Sequence, residues 1–109
     1  MFHTLRCKLV GCNFAKPSRE PQVHDVVYLK LEPENKFDHH AIRVENGLGE
    51  KIGYIGTDNT VSIGNKKNGC LTNLDIKPLI EFDDQNSYLA IMTKVNGYFG
   101  FLDITIDDI

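Results

Sequence analysis

The stretch that decides the fold is LEPENKFDHHAIRVENGLGEKIGYI, residues 31–55. Its second half holds two runs that alternate apolar and polar residues, 41–46 and 51–55, joined by a short loop with two glycines. Alternation with a period of two is typical of half-buried strands, and glycine supplies the positive φ angles that tight hairpin turns need. These residues therefore predict a β-hairpin.

Strand patterns dominate the rest of the chain as well. Prolines and polar residues predict loops at 15–22 and 32–38, and residues 57–69 predict one short helix that ends at Gly69. The last predicted strand places Leu102, Ile104 and Ile106 on one face. About six short strands favour an all-β fold, a small barrel or a sandwich. The strands predicted outside the hairpin are 4–14, 26–31, 79–82, 88–92 and 98–106.

Length and composition fit one globular domain over residues 1–109. The chain is 41% hydrophobic and 25% charged, which is typical of a soluble protein. No apolar run approaches the roughly 20 residues that span a bilayer, and the N-terminus lacks a signal-peptide pattern. We therefore expect no membrane association and a cytoplasmic location, or a nuclear one in a eukaryote.

The cysteines and the net charge exclude other classes. The three cysteines, Cys7, Cys12 and Cys70, are an odd number, and the sequence has no CxxC or HxxxH pair to seed a zinc site, which predicts buried or half-buried thiols and no metal or other cofactor. The net charge of −3 argues against a long phosphate-tracking groove. However, residues 1–30 carry five Lys and Arg against two Asp and Glu, so a locally basic face is compatible with the sequence.

Catalytic motifs do not emerge from the sequence. Asp38, His39 and His40 are adjacent, but neighbouring histidines on an extended segment point to opposite sides and do not share an ion without another ligand. Solvent-exposed histidines at a loop-to-strand junction are the favoured interpretation. We expect no enzymatic activity.

The loop at residues 32–38 has two interpretations. It places Lys36, Phe37 and Asp38 side by side, so that an aromatic ring could stack on a base while a carboxylate accepts a hydrogen bond from a hydroxyl group. Alternatively, Asp38 caps the turn and Phe37 packs in the core. From these residues alone the second interpretation is favoured, because aspartate and asparagine are common turn formers.

The loop, the hairpin and the first strand together resemble the signature of the HIRAN domain family. The resemblance covers residues 5–55, and the remainder of the chain follows it only in its general strand pattern. The matching positions are Leu9-Val10-Gly11 and Phe14, Glu32-Pro33-Glu34-Asn35-Lys36-Phe37-Asp38, Ala41-Ile42-Arg43-Val44, Gly49, and Ile52-Gly53-Tyr54-Ile55.

The resemblance implies an OB-like or SH3-like small β-barrel with one or two short helices that grips the free 3′ end of single-stranded DNA. By position, Phe14 and Phe37 would stack on bases, Asp38 would accept from the terminal hydroxyl, and Asn35 would shape the loop or contact a base. It also implies a role in DNA repair beside a partner such as a helicase or a nuclease. The candidate nucleic-acid-binding residues are Asn13, Phe14, Asn35, Lys36, Phe37, Asp38 and Tyr54.

This sequence departs from the family pattern mainly in its cations. Asn13 stands where an arginine is expected, and Gly56 and Thr57 stand where lysines are expected. Phe14 and Phe37 replace tyrosines, and Tyr54 replaces a histidine. These departures leave open an alternative, a protein–protein interaction module that keeps the barrel and lacks the DNA-end grip.

Overall fold

The computed structural model describes residues 2–12, 14–57, 62–63, 66–67, 70–80, 87–95 and 99–107. The elements within them are eight strands and one short helix, in chain order: β1 (Phe2–Val10), β2 (Val26–Leu31), β3 (Ile42–Glu45), β4 (Lys51–Ile55), β5 (Ser62–Ile63), β6 (Lys66–Lys67), α1 (Asn73–Ile76), β7 (Ser87–Val95) and β8 (Gly100–Asp107).

Six of the strands close into an antiparallel barrel in the order β1-β4-β3-β2-β7-β8, with β8 pairing back onto β1. This confirms the all-β prediction and settles it as a barrel. Closure gives each barrel strand two neighbours and removes the free edges on which open sheets aggregate. The two short strands β5 and β6 form a separate two-stranded sheet.

The core follows from side chains that alternate across each strand. In β2, Val27 and Leu29 point inward and are buried, while Val26 faces out. In β8, Leu102 and Ile104 are fully buried and Ile106 packs against them, as the sequence pattern predicted. The other barrel residues that are completely buried are Cys7, Leu9, Ile42, Val44 and Met92.

The predicted hairpin is confirmed as β3 and β4. Its turn is held by Asn46, whose side-chain oxygen accepts hydrogen bonds from the backbone N–H groups of Leu48 and Glu50, each at 3.0 Å. Gly49 adopts a φ of +78°, so one of the two loop glycines supplies the left-handed conformation.

The barrel closes where β1 approaches β4 at Gly53. The β3–β4 ladder shifts register after Val44, so that Val44 pairs with Gly53 and Glu45 with Lys51, a β-bulge at Ile52. A Cβ atom at Gly53 would lie 2.5 Å from the carbonyl oxygen of Val10. Only a glycine allows β1 to pair with β4 at this distance.

Substituting Gly53 with alanine is expected to destabilise the barrel by about 1–3 kcal/mol, the usual range for overpacking a well-packed site. Urea unfolding of Gly53→Ala against the wild type measures this. Gly47→Ala is the matched control, since nothing lies within 4 Å of a Cβ at Gly47. Equal stability of the two variants would contradict the close-approach explanation.

Two of the strand predictions were wrong in part, one in its end and one in its existence. The first strand was predicted to run through Phe14 but ends at Val10, because Gly11 adopts a φ of +74° and turns the chain out of the sheet. The strand predicted at 79–82 is not formed by Leu79 and Ile80, whose N–H groups bond to the carbonyl of Ile76 just after α1. The rest of that prediction lies outside the described residues.

The helix predicted at 57–69 was also wrong where the structure describes that stretch. Ser62 pairs with Lys67 and Ile63 with Lys66 in an antiparallel ladder. The helix observed in this half of the chain is α1, which was not predicted from the sequence. Thr72 begins it with a capping box, in which its side chain accepts from the N–H of Asp75 and the Asp75 side chain accepts from the N–H of Thr72.

The three cysteines form no disulfide bond, as predicted. Cys7 and Cys70 are buried and Cys12 is half-buried. Burial raises the pKa of the Cys7 thiol to about 12, so it stays protonated and unreactive at neutral pH. Within the described part of the chain, no helix has the length and apolar character to cross a membrane.

Candidate functional site

The loop between β2 and β3, residues 32–41, owes its shape to Asn35. The side-chain oxygen of Asn35 accepts from the backbone N–H groups of Phe37 and Asp38 at 2.9 and 3.0 Å. Its amide nitrogen donates to Glu32 Oε1 at 2.8 Å. Asparagine closes its own turn in this way, so the loop backbone is fixed by bonds that it makes to itself.

Phe37 lies at the outermost point of this loop and is 99% exposed. The interpretation that placed Phe37 in the core was therefore wrong. Lys36, next to it, is also exposed. A large ring that is held on a fixed backbone and contributes nothing to the core is free to stack against a ligand.

Asp38 is held on both carboxylate oxygens. Oδ1 accepts from the backbone N–H of His40 at 2.8 Å, which is the local turn cap that the sequence indicated. Oδ2 accepts from Asn73 Nδ2 at 3.1 Å. An ionised carboxylate has about four acceptor positions, so two bonds leave room for a further donor.

Asn73 is the residue of this site that was not predicted from the sequence. It is 2% exposed, at the first turn of α1, and its Nδ2 also donates to the carbonyl of His40 at 2.8 Å. Its backbone N–H donates to Gly56 at 3.2 Å. The capping box at Thr72 and Asp75 is a sequence signal for the helix, but nothing in the sequence connects Asn73 to a loop 35 residues away.

Removing the Asn73 amide is expected to loosen the loop without disrupting the barrel. Asn73→Ala leaves the His40 carbonyl and Asp38 Oδ2 without a buried donor, a loss of about 1–3 kcal/mol. Urea unfolding gives the stability change, and hydrogen exchange at the His40 and Ala41 amides reports on the loop. Leu74→Ala, at an exposed neighbour, is the control. Unchanged exchange in Asn73→Ala would contradict the role assigned to the amide.

Tyr54 lies at the base of the same loop. Its hydroxyl donates to Glu32 Oε1 at 2.9 Å, and Lys51 Nζ lies 5.3 Å from the centre of its ring. Partial burial, followed by the hydrogen bond to Glu32, raises the pKa of the Tyr54 hydroxyl. Through Glu32, Tyr54 and Asn35 are parts of one hydrogen-bonded group.

Phe14 lies on a different loop, residues 11–25. It is 82% exposed, and its N–H donates to the Gly11 carbonyl at 3.1 Å, which closes a turn just after β1. Among the described residues, no hydrogen bond or ring contact joins Phe14 to Phe37. The connection between the two loops runs through the barrel wall, where Val10 pairs with Tyr54. Asn13 lies outside the described residues.

The Phe14 loop is fixed to the β3–β4 turn by Glu50. The two carboxylate oxygens of Glu50 accept from the Ser18 N–H at 3.0 Å and the Ser18 hydroxyl at 2.8 Å, and Oε1 also accepts from Asn46 Nδ2 at 3.0 Å. The bond from Asn46, followed by those from Ser18, lowers the pKa of the Glu50 carboxyl. The anchor therefore depends on an ionised carboxylate.

Acid is expected to release this anchor. Because the pKa of Glu50 is lowered in the folded state, its contribution is present above the unfolded-state value near 4.5 and is lost as the pH falls through the folded-state value. Glu50→Gln should be less stable than the wild type at pH 7, and the difference should shrink as the pH falls below about 4.5. Urea unfolding across this range measures it, and a difference independent of pH would contradict the assignment.

His39 and His40 make separate hydrogen bonds. His39 Nδ1 donates to the Pro33 carbonyl at 3.0 Å, and Lys77 Nζ donates to His40 Nδ1 at 3.2 Å. Both side chains are exposed, as the sequence indicated. In the part of the chain that is described, no group of three metal-ligating side chains comes together.

The described candidate residues lie on two loops and on β4. Two cavities, of about 170 and 340 Å³, lie beside the loop at residues 11–25, and neither is lined by Phe14, Phe37 or Asp38. The structure brings Asn35, Phe37 and Asp38 together on one rigid loop with Tyr54 beneath it. Lys36 is on the same loop, and Phe14 is on the neighbouring one.

A small closed barrel that presents an exposed ring and an oriented carboxylate on one loop fits a binding module. The chain belongs to the HIRAN domain family, whose family model matches residues 2–95, and this family is a nucleic-acid-binding module. The fold is similar to the crystal structure of the HIRAN domain of human HLTF, with a TM-score of 0.64 and 18% sequence identity, over 94% of this chain and 73% of that one. No curated protein matches the chain.

Proposed function

We propose that this protein recognises the end of a single-stranded DNA that carries a free 3′-hydroxyl group. The observation that carries the proposal is the position of Phe37, 99% exposed on a loop that Asn35 holds in shape and next in sequence to Asp38, whose carboxylate is oriented by two hydrogen bonds. A ring to stack on and an acceptor for a hydroxyl are the two groups that a strand terminus requires.

Phe37 supplies the stacking surface. Base stacking on an aromatic side chain is worth about 1–3 kcal/mol per base and tolerates any base, because every base has a π-face. The backbone of Phe37 is already fixed before binding, so little ordering of the loop opposes the contact. Phe14, which is also exposed, offers a second ring for a neighbouring base.

Asp38 supplies the selectivity for a hydroxyl end. A carboxylate accepts a hydrogen bond from a terminal hydroxyl but repels a terminal phosphate. Because His40 and Asn73 already hold its two oxygens, the group is oriented before the strand arrives. Asn35, Lys36, Tyr54 and Asn13 complete the proposed interface, with Asn35 shaping the loop and Lys36 near the strand.

Fluorescence anisotropy tests the proposal with a short oligonucleotide ending in a 3′-hydroxyl and the same strand ending in a 3′-phosphate. The hydroxyl strand should bind more tightly. Phe37→Ala should weaken its binding by about 5- to 150-fold, which corresponds to about 1–3 kcal/mol. Asp38→Ala should remove the preference for the hydroxyl strand.

Leu48→Ala is the matched control, because Leu48 is 74% exposed on the β3–β4 turn and is outside the proposed interface. It should bind both strands as the wild type does. Equal binding of the two strands by the wild type, or no binding at low salt, would overturn the proposal.

A second candidate function is a protein–protein interaction module. The outer surface of the β2–β7 pair exposes Val26, Leu89 and Ile91, each 43–51% exposed, with Val26 directly opposite Ile91. Neighbouring apolar side chains on an outer surface are typical of contacts with another protein. A partner such as a helicase or nuclease would fit this candidate, which gains support if the oligonucleotide titration shows no binding.

A further inference from the structure

The outer surface of β2, β3 and β4 concentrates positive charge beside Tyr54. Its outward-facing positions, here called the outer cationic face, are Tyr28 and Lys30 on β2, Arg43 and Glu45 on β3, and Lys51 and Tyr54 on β4. Three bases and one acid occupy these six positions, and a second acid, Glu32, adjoins them at the Tyr54 hydroxyl, so the bases outnumber the acids by one. The whole chain has 12 bases and 15 acids, so this face has the opposite sign to the molecule.

The strand register brings these cations together. Lys30 pairs with Arg43 and Arg43 with Tyr54, so three neighbouring strands present them side by side, about 5 Å apart from strand to strand. Lys51 would face inward if the ladder were regular. The bulge at Ile52 shifts it to the outside, where its Nζ lies over the ring of Tyr54.

Glu45 forms ion pairs with two of the cations. Its side chain is 10% exposed, and its oxygens lie 3.3 Å from Lys30 Nζ and 2.8 Å from Arg43 Nε. One carboxylate between two bases leaves a net positive charge. The guanidinium has five N–H donors in all, and the Lys30 and Arg43 side chains remain 40% and 34% exposed.

On this basis we infer that Lys30, Arg43 and Lys51 form a subsite for the backbone phosphates of the nucleotides that precede the strand end. The inference rests on the proposed function, which places the terminal nucleotide at Phe37 and Asp38. Tyr54 and Glu32 join that loop to the outer cationic face, so a strand that leaves the loop over Tyr54 meets Lys51 along β4 and Arg43 and Lys30 on the two neighbouring strands. The subsite supplies phosphate contacts at positions other than Gly56 and Thr57.

Neutral-backbone oligonucleotides test the subsite. The wild type is titrated with a 3′-hydroxyl oligonucleotide in its natural form and with methylphosphonate linkages at the internal positions, which remove the phosphate charge. Lys30→Gln and Lys51→Gln should each weaken binding of the natural strand and lower the slope of log affinity against log salt by about 0.7 for each phosphate that is no longer neutralised. Both variants should bind the neutral strand as the wild type does, and a dinucleotide with a free 3′-hydroxyl should not distinguish them.

Lys94→Gln is the matched control. Lys94 is exposed on β7 beyond the Val26–Ile91 pair, at the opposite end of β2 from Lys30. It should leave the salt dependence unchanged. Urea unfolding of each variant confirms that the barrel is intact.

The outcomes separate the two proposals. If the hydroxyl end is preferred but Lys30→Gln and Lys51→Gln bind the natural strand as tightly as the wild type, the subsite is overturned and the proposed function stands. If the ends are not distinguished but the lysine variants still weaken only the natural strand, end recognition fails and the phosphate subsite is supported. If these variants weaken natural and neutral strands equally, the bases do not contact phosphate and the subsite is overturned.

Discussion

The contact between β1 and β4 at Gly53 is the constraint on which the rest of the structure depends. The two strands pair at Leu9 with Ile55 and at Val10 with Tyr54, and these pairs close the barrel. Closure requires that β1 pass within 2.5 Å of where a Cβ at Gly53 would be. The same pairs fix where Tyr54 lies and where the chain leaves β1 toward Phe14, so a single glycine relates the core to both loops of the candidate site.

The candidate site combines two kinds of support. The β2–β3 loop is shaped by its own side chains, with Asn35 holding the backbone of Phe37 and Asp38. Asn73 on α1 adds two long-range bonds, to Asp38 Oδ2 and to the His40 carbonyl, and Tyr54 on β4 adds a third, to Glu32. Local bonds give the loop its shape, and the long-range bonds fix its orientation on the barrel. The cations of the outer cationic face are positioned by strand register and by the bulge at Ile52, and not by side-chain hydrogen bonds to the loop.

The parts that the sequence predicted are those determined by neighbours in the chain. The β3–β4 hairpin follows from alternation and loop glycines, and the cap made by Asp38 follows from residue type. The exposure of Phe37 does not follow from the neighbouring residues, because an aromatic side chain in a loop packs inward or outward according to which residues lie opposite it in the fold. The hydrogen bond from Asn73 to Asp38 joins residues 35 positions apart. The outward orientation of Lys51 depends on a β-bulge. Neither has a local signature. Residues 62–63 and 66–67 were predicted wrongly, because short runs with few apolar residues fit a helix and a strand equally.

The rigidity of the Asn35 loop also determines where conformational entropy is lost on association. The backbone of Phe37 and Asp38 is ordered when the chain folds, so the conformational entropy of this part of the loop is lost during folding and not during binding. A single strand of DNA is flexible and becomes ordered only when it is bound. In the proposed complex with single-stranded DNA, the conformational entropy that is lost on binding would therefore come from the nucleic acid and from the exposed Phe37 side chain, and not from the loop backbone.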